Sequence, residues 1–493
     1  MFERITPEEA GVSSERIAQY LSMLRRRNSQ MHSVLMMKGD KLFAEYYWAP
    51  FNKDFCHRMY SVTKSFTSVA IGLLEEEGKL SLDDKIMDHF PEKIDGEINE
   101  WLKKQTIRDM LTMTTAGHCD WWFGAGDPDR VHLYFNKRAL NRPSATLWDY
   151  DSAGSQVMAT LVEKLSGKSL FDYLNEKIFK HLGTFKTAEI LHTPNGDSWG
   201  DSAMVCTSRD VMSFGKFCMN LGEWDGKRLM NAEYLKAAIA KQVDNTESAH
   251  LEAFKYGYGY QFWRTEQNGF ALVGMGHQFV ICLPDKDVVF VCTADGQGNQ
   301  SMLENIVNGF FDIVYSNMGD APLAKDEAAE KVLAEETADL KLFAVTGAED
   351  SPMRAELDGA VYECAENPMG WTKFSFHFND ATSGELHYTN AQGDKVLPFG
   401  VNHNVFGKFP QFGYSNDKGA TRTTDGFMYK DAVSFAWLQD NKIIIDVQII
   451  DRYFGNMSMI FAFRDGECGF KMSKTAEDFL NEYQGVGTAK KTK

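Results

Sequence analysis

The stretch Ser61-Val62-Thr63-Lys64 places an amine one helical turn from a hydroxyl. A serine hydroxyl is a weak nucleophile at neutral pH and needs a neighbouring base, a role open to a partly desolvated lysine. The chemistry this pair offers is attack on a carbonyl carbon with formation of an acyl-enzyme. The spacing alone is common, because Ser213…Lys216 and Ser415…Lys418 repeat it. The surroundings set the first copy apart. Phe66, Val69, Ala70, Leu73 and Leu74 fall at helical spacing and form one apolar face. Glu75 to Glu77 and then Gly78 end the helix, glycine being frequent just past a helix end. A serine opening such a helix has free N–H groups and the positive dipole end beside it.

These residues sit in a chain of 493, too long for one core, which predicts two or three domains. With 43% hydrophobic and 25% charged residues it reads as an ordinary soluble protein. A formal net charge of −17 weighs against nucleic acid and anionic membranes as partners. Met1 to Thr6 has no basic stretch leading into an apolar one, and no run approaches the ~18 apolar residues of a membrane span. The eight cysteines include no C-x-x-C pair, which predicts reduced thiols and a cytoplasmic setting. The twelve histidines are dispersed, with no H-E-x-x-H spacing, so no metal site is expected, and acyl transfer through Ser61 calls for no organic cofactor.

Residues 1–320 alternate helical and strand signals. Met31 to Tyr47 predicts a hairpin turning at Lys38-Gly39-Asp40. Leu161 to Leu174 and Val211 to Leu221 predict helices, and Gln278 to Thr293 predicts two strands joined at Pro284 to Asp287. Residues 321–349 shift to Ala, Glu and Lys and predict an acidic helical linker. Residues 350–493 predict a β-rich domain, a lipocalin-like or meander barrel. Its strand candidates are Thr372–Phe378, Glu385–Thr389, Ala432–Trp437, Lys442–Ile450 and Met457–Phe463, with turns at Asp440-Asn441 and Asp465-Gly466. Helical signal returns only at Thr475. Covering a cleft, binding a ligand and mediating oligomers all stay open as roles for this domain.

The run from Tyr60 through Ser61 and Lys64 to Asp84 resembles the class C β-lactamase-like serine hydrolases, a group with penicillin-binding-protein-like esterases, D-amino-acid peptidases and amide hydrolases. Further matches follow in family order: Thr106–Gly117, Tyr150-Asp151-Ser152-Ala153-Gly154, Thr207–Gly215, Tyr256–Tyr260 and Gly274-Met275-Gly276-His277-Gln278. The resemblance covers roughly the first 300 residues. It implies an α/β (α+β) transpeptidase-type fold, an antiparallel sheet flanked by helices plus a helical lobe. It also implies catalysis by Ser61, Lys64 and Tyr150, and leaves open whether Lys64 or Tyr150 is the base. The N–H of Met275, with that of Ser61, is the oxyanion-hole candidate.

Two departures bear on substrate. Where relatives carry Lys-Thr-Gly, this chain has Leu272-Val273-Gly274, which removes a lysine that grips the carboxylate of β-lactams and peptides. Ser152 stands where asparagine is usual; a hydroxyl can still hydrogen-bond Lys64 or substrate, with shorter reach and without the amide's donor pair. Gly274, Ser152, His277 and Trp122 complete the candidate substrate-binding set. Trp121-Trp122-Phe123, Trp148, Trp199 and Phe262-Trp263 are aromatic candidates for a cleft favouring apolar acyl groups. Arg58 and Arg130 are near the motifs in sequence only. The reading is a serine hydrolase of carboxylic esters or small amides, with small-molecule or short-peptide substrates and a homo-oligomer left open. The alternatives are a β-lactamase or D-amino-acid peptidase, an acyltransferase, and a non-catalytic binding protein on a hydrolase scaffold.

Overall fold

The computed structural model describes residues 2–117, 127–137, 139, 141–249, 252–412, 428–452, 454–476 and 480–492. They fall into two compact units, one running through Lys341 and one from Leu342 onward.

The first unit opens with β1 (Glu3–Arg4), β2 (Met31–Lys38) and β3 (Lys41–Tyr47). A small sheet follows from β4 (His57–Arg58), β5 (Glu189–Ile190) and β6 (Met204–Cys206), then a ribbon of β7 (Glu223–Trp224) and β8 (Lys227–Arg228). The last strands are β9 (Trp263–Arg264), β10 (Phe270–Gly274), β11 (Gln278–Leu283) and β12 (Val288–Ala294). The seven-stranded main sheet has the order β1-β3-β2-β12-β11-β10-β9, antiparallel throughout except for β1 beside β3. Helices cover both faces, so its central strands are apolar on both. On β2, Leu35 and Met37 enter one core while Val34 and Met36 enter the other, the alternation a strand imposes.

The helices are α1 (Ser14–Arg26), α2 (Thr63–Glu76), α3 (Glu100–Lys104), α4 (Ile107–Leu111), α5 (Arg130–Asn136), α6 (Ser152–Ser166), α7 (Leu170–Leu174), α8 (Lys180–Leu182), α9 (Ser208–Met219), α10 (Ala232–Ile239), α11 (Gln300–Gly309) and α12 (Glu327–Thr337). α2 is buried on every side from Thr63 to Leu74, with Phe66, Val69, Ala70, Leu73 and Leu74 in the core. Burial of each larger apolar side chain there is worth about 1.5–3 kcal/mol, which fixes the helix that carries the candidate nucleophile. The expected Leu161–Leu174 helix is broken at Gly167, left-handed at φ 72°, between α6 and α7. Within the acidic 321–349 segment, α12 packs on α1 in this unit: Leu333 joins the core and Arg25 pairs with Glu336 at 2.8 Å.

The second unit begins with α13 (Arg354–Leu357) and then ten strands. These are β13 (Tyr362–Cys364), β14 (Lys373–Phe378), β15 (Ser383–Asn390), β16 (Gly393–Val401), β17 (Val405–Phe412), β18 (Met428–Gln439), β19 (Lys442–Ile450), β20 (Phe454–Arg464), β21 (Glu467–Thr475) and β22 (Gly485–Lys491). Nine of them close into a barrel, because β16 pairs in parallel with β18 at Gly400–Ser434 and Val401–Phe435. β17 pairs along β18 beside that junction. Ile443, Ile445, Val447 and Ile449 alternate into the interior, where Trp371 stacks on Tyr388 at 4.2 Å. Closure leaves the ring no open edge.

Candidate active site

Ser61 lies in a tight 3-10 turn, Tyr60–Val62, that runs into α2. Tyr60 is left-handed at φ 48°, a conformation that costs a residue with a Cβ of order 1–3 kcal/mol. Side-chain and backbone bonds hold it there. The Thr63 hydroxyl donates to the Tyr60 carbonyl at 2.6 Å and accepts the Met204 N–H at 2.9 Å, while Met59 N–H donates to the Met204 carbonyl at 2.8 Å. The turn leaves Ser61 half-buried and Lys64 fully buried. Lys64 Nζ donates to Ser61 Oγ at 2.8 Å and to the Asp201 carbonyl at 2.8 Å, and the Asp201 carboxylate lies 3.7 Å away.

Tyr150 comes next to this pair, its ring centre 5.0 Å from Lys64 Nζ. It precedes Asp151, which caps α6 by accepting the Gly154 N–H at 3.0 Å and the Thr115 hydroxyl at 2.7 Å. Trp263 stacks on the Tyr150 ring at 5.6 Å and 26°. Ser152, half-buried, is the first residue of α6. Gln261 ties the pieces together: its carbonyl accepts Ser65 of α2, its Oε1 accepts Ser155 of α6, and its Nε2 donates to Met110 and Leu111 at the end of α4.

The β10–β11 turn borders the nucleophile. A Cβ on Gly274 would lie 2.2 Å from the Met59 carbonyl oxygen, so only glycine allows this approach. Met275 follows, half-buried, and Gln278 Nε2 pins its carbonyl at 3.0 Å while also bonding the Ala294 carbonyl at 2.8 Å. His277 points elsewhere. Its Nε2 meets the Asn299 carbonyl at 2.9 Å and its ring stacks on Phe279, while burial pushes its pKa down.

Two sequence expectations are corrected. Arg58 and Arg130 are close in space as well as in sequence: both are buried, their guanidinium groups 4.7 and 4.4 Å from the Trp199 ring, and Arg58 also lies 4.6 Å from the Tyr60 ring. The fold brings the 199–202 loop against α2, and the arginines come with it. Trp148, Trp199, Phe262 and Trp263 do not form exposed cleft walls; all four are buried. Trp121, Trp122, Phe123 and the Ser415…Lys418 repeat lie outside the described residues. In the Ser213…Lys216 repeat, Ser213 bonds back to the Arg209 carbonyl at 2.9 Å and Lys216 pairs with Asp287 at 2.5 Å. Sequence reasoning missed Asp201 and Gln261, whose importance rests on contacts between segments far apart in the chain.

The first unit, a largely antiparallel sheet between helical layers, has the β-lactamase/penicillin-binding-protein-like fold. A family model described as Beta-lactamase matches residues 26–309, and the chain belongs to the beta-lactamase family of serine hydrolases. The 6-aminohexanoate-dimer hydrolase of Paenarthrobacter ureafaciens is 24% identical over 307 residues, covering 58% of this chain and 78% of that protein. The D-aminopeptidase of Brucella anthropi is 30% identical over 146 residues, only 27% of this chain and 25% of that one. Among solved structures, a putative 6-aminohexanoate-dimer hydrolase from Bacillus anthracis superposes with TM-score 0.55 at 18% identity, over 64% of this chain and 87% of that one.

Proposed function

We propose that this protein hydrolyses a carboxylic ester or small amide through an acyl-enzyme on Ser61, with Lys64 and Tyr150 as its proton-transfer partners. The observation that carries this reading is the 2.8 Å contact from buried Lys64 Nζ to the half-buried Ser61 Oγ. Attack by Ser61 places negative charge on the substrate carbonyl oxygen. The N–H groups of Ser61 and Met275 are the donors for that oxygen, and Gly274 lets the second approach the first. Tyr150 carries the proton toward the departing oxygen or nitrogen, and water then releases the acyl group.

The substrate class rests on what lines β10. Leu272 and Val273 offer no cation where β-lactam and peptide carboxylates are gripped in relatives, which disfavours both. The relative named for hydrolysis of a 6-aminohexanoate dimer supports amides beside esters. A cytoplasmic setting accords with the free thiols at all seven described cysteines. Turnover across a panel of aryl esters, small linear amides, D-amino-acid amides and a chromogenic cephalosporin tests the reading. Ester or amide turnover lost in Ser61→Ala is expected; cephalosporin turnover alone would favour a β-lactamase.

A further inference from the structure

The mechanism above uses Lys64 but not the carboxylate beside it. An ammonium has three N–H donors and no acceptor. Lys64 Nζ spends one on Ser61 Oγ and one on the Asp201 carbonyl, each at 2.8 Å, and Asp201 Oδ2 stands 3.7 Å away. The two side chains are 2% and 3% exposed, so neither charge is compensated by bulk water.

The segment that carries Asp201 is held on both sides. The Thr67 hydroxyl donates to the Gly200 carbonyl at 2.6 Å, Gln156 Oε1 accepts the Gly200 N–H at 3.1 Å, and Arg58 Nε donates to the Ser202 carbonyl at 3.0 Å. A Cβ on Gly200 would come within 2.2 Å of Ala159 Cβ on α6. The carboxylate is therefore fixed in the interior. The other ionisable groups facing the pair are Tyr150, on the Lys64 side, and Arg58 and Arg130, on the Asp201 side. Burial pushes the Asp201 carboxyl up, against Lys64, Arg130, Arg58 and the Trp199 indole, which pull it down.

We infer that Asp201 is a positioning residue: its carboxylate is the counter-charge that keeps Lys64 an ammonium donor aimed at Ser61 Oγ. The inference rests on Ser61 being the nucleophile. A Lys64 held in this form has no lone pair for the serine proton. As Ser61 Oγ bonds the carbonyl carbon, its proton passes to Tyr150, acting as the phenolate beside the Lys64 ammonium, and the phenol so formed gives that proton to the departing oxygen or nitrogen as that bond breaks, which restores the phenolate.

The test compares the full chain with Asp201→Asn, which keeps the backbone contact and removes the charge. An activated aryl ester supplies kcat, KM and their pH profiles, and thermal denaturation reports folding. Asp201→Asn is expected to lower kcat by about 100-fold with KM nearly unchanged. The shape of its kcat–pH profile should change as well, because the charge beside the Lys64 amine is gone. Asp201→Ser serves, with the same expected direction, if the asparagine variant does not fold. Unchanged kcat and pH profile, or a rate loss equal at every pH that tracks a lower Tm, would overturn the inference. Failure of the underlying reading looks different: the unaltered protein would then form no Ser61 adduct at all.

Discussion

The Cα of Gly274 abuts the carbonyl of Met59, so closely that an added methyl would sit 2.2 Å from that oxygen. This contact sets the distance between the β10–β11 turn and the turn that carries Ser61. Gly274→Ala is therefore expected to push Met275 away from Ser61. A displacement near 1 Å costs about 100-fold in kcat, and the overpacking costs roughly 1–3 kcal/mol of stability. Steady-state kinetics with an activated ester and a urea titration check both; a fully active Gly274→Ala would refute the placement.

Tyr150 depends on Trp263 for its orientation, through the stack at 5.6 Å. Trp263 also meets Trp148 and Tyr258 edge-on, at 5.5 and 5.2 Å. Trp263→Ala should remove about 3–5 kcal/mol of stability and lower kcat more than KM rises. Trp263→Phe, which keeps a ring against Tyr150, should recover most of kcat. Equal kcat in the Ala and Phe variants would show that the stack does not orient the tyrosine.

A buried histidine pair underlies the nucleophile segment. His32 Nδ1 meets His57 Nε2 at 2.8 Å, and His57 Nδ1 meets the Arg58 carbonyl at 2.7 Å. Burial holds both below the usual histidine range, His57 down to about 3. Below about pH 6.5 an unfolded histidine takes up a proton that the folded pair refuses. Stability is thus full above that pH and falls as pH drops below it, by about 1.4 kcal/mol per unit for His57 down to about pH 3, with His32 adding a loss of the same sign. Urea midpoints at pH 7, 6 and 5 should decline, and less steeply when His32→Phe and His57→Gln are combined. An identical slope in that double variant would remove the pair as the cause.

The barrel predicts the opposite sign. Asp446 is buried with one hydroxyl donor among the described residues, Ser458 at 2.6 Å, and burial raises its carboxyl to about 6. The folded state holds this proton where the unfolded chain has released it, between about pH 4 and 6. Stability is present below that window and is lost as pH rises through it, by about 3 kcal/mol in all. Asp446→Asn keeps an acceptor for Ser458 and removes the charge. It should stabilise the second unit at pH 8 by about 1–2 kcal/mol and make little difference at pH 4. Denaturation at the two pH values checks this; a loss at pH 8 would contradict it.

Strong periodicity makes some elements legible from the amino-acid sequence. The β2–β3 hairpin, the apolar face of α2 ending at Gly78, and the clean alternation of β19 follow from local pattern alone. β22, Gly485–Lys491, is not legible in that way: helical signal is expected to return at Thr475, but β21 runs through that residue, and partners on both sides, β13 and β21, make 485–491 a strand. β16 carries Pro398 and β13 is only three residues long, so neither has a readable period. At the site, Ser61 and Lys64 stand out because they share one helical turn. Asp201 does not, because a backbone carbonyl is its closest contact with Lys64 and no side-chain pattern encodes it. Gln261 looks like one more residue after Tyr256–Tyr260, and its left-handed φ of 63° has no sequence signature.

Acylation of Ser61 is the step from which the rest of the chemistry follows. Intact-mass spectrometry after mixing the full chain with an aryl ester, followed by peptide mapping, measures this directly. The prediction is one acyl mass added, mapped to Ser61, absent in Ser61→Ala and much slower to form in Lys64→Met. Ester turnover with no adduct on Ser61, or turnover that survives Ser61→Ala, would contradict it.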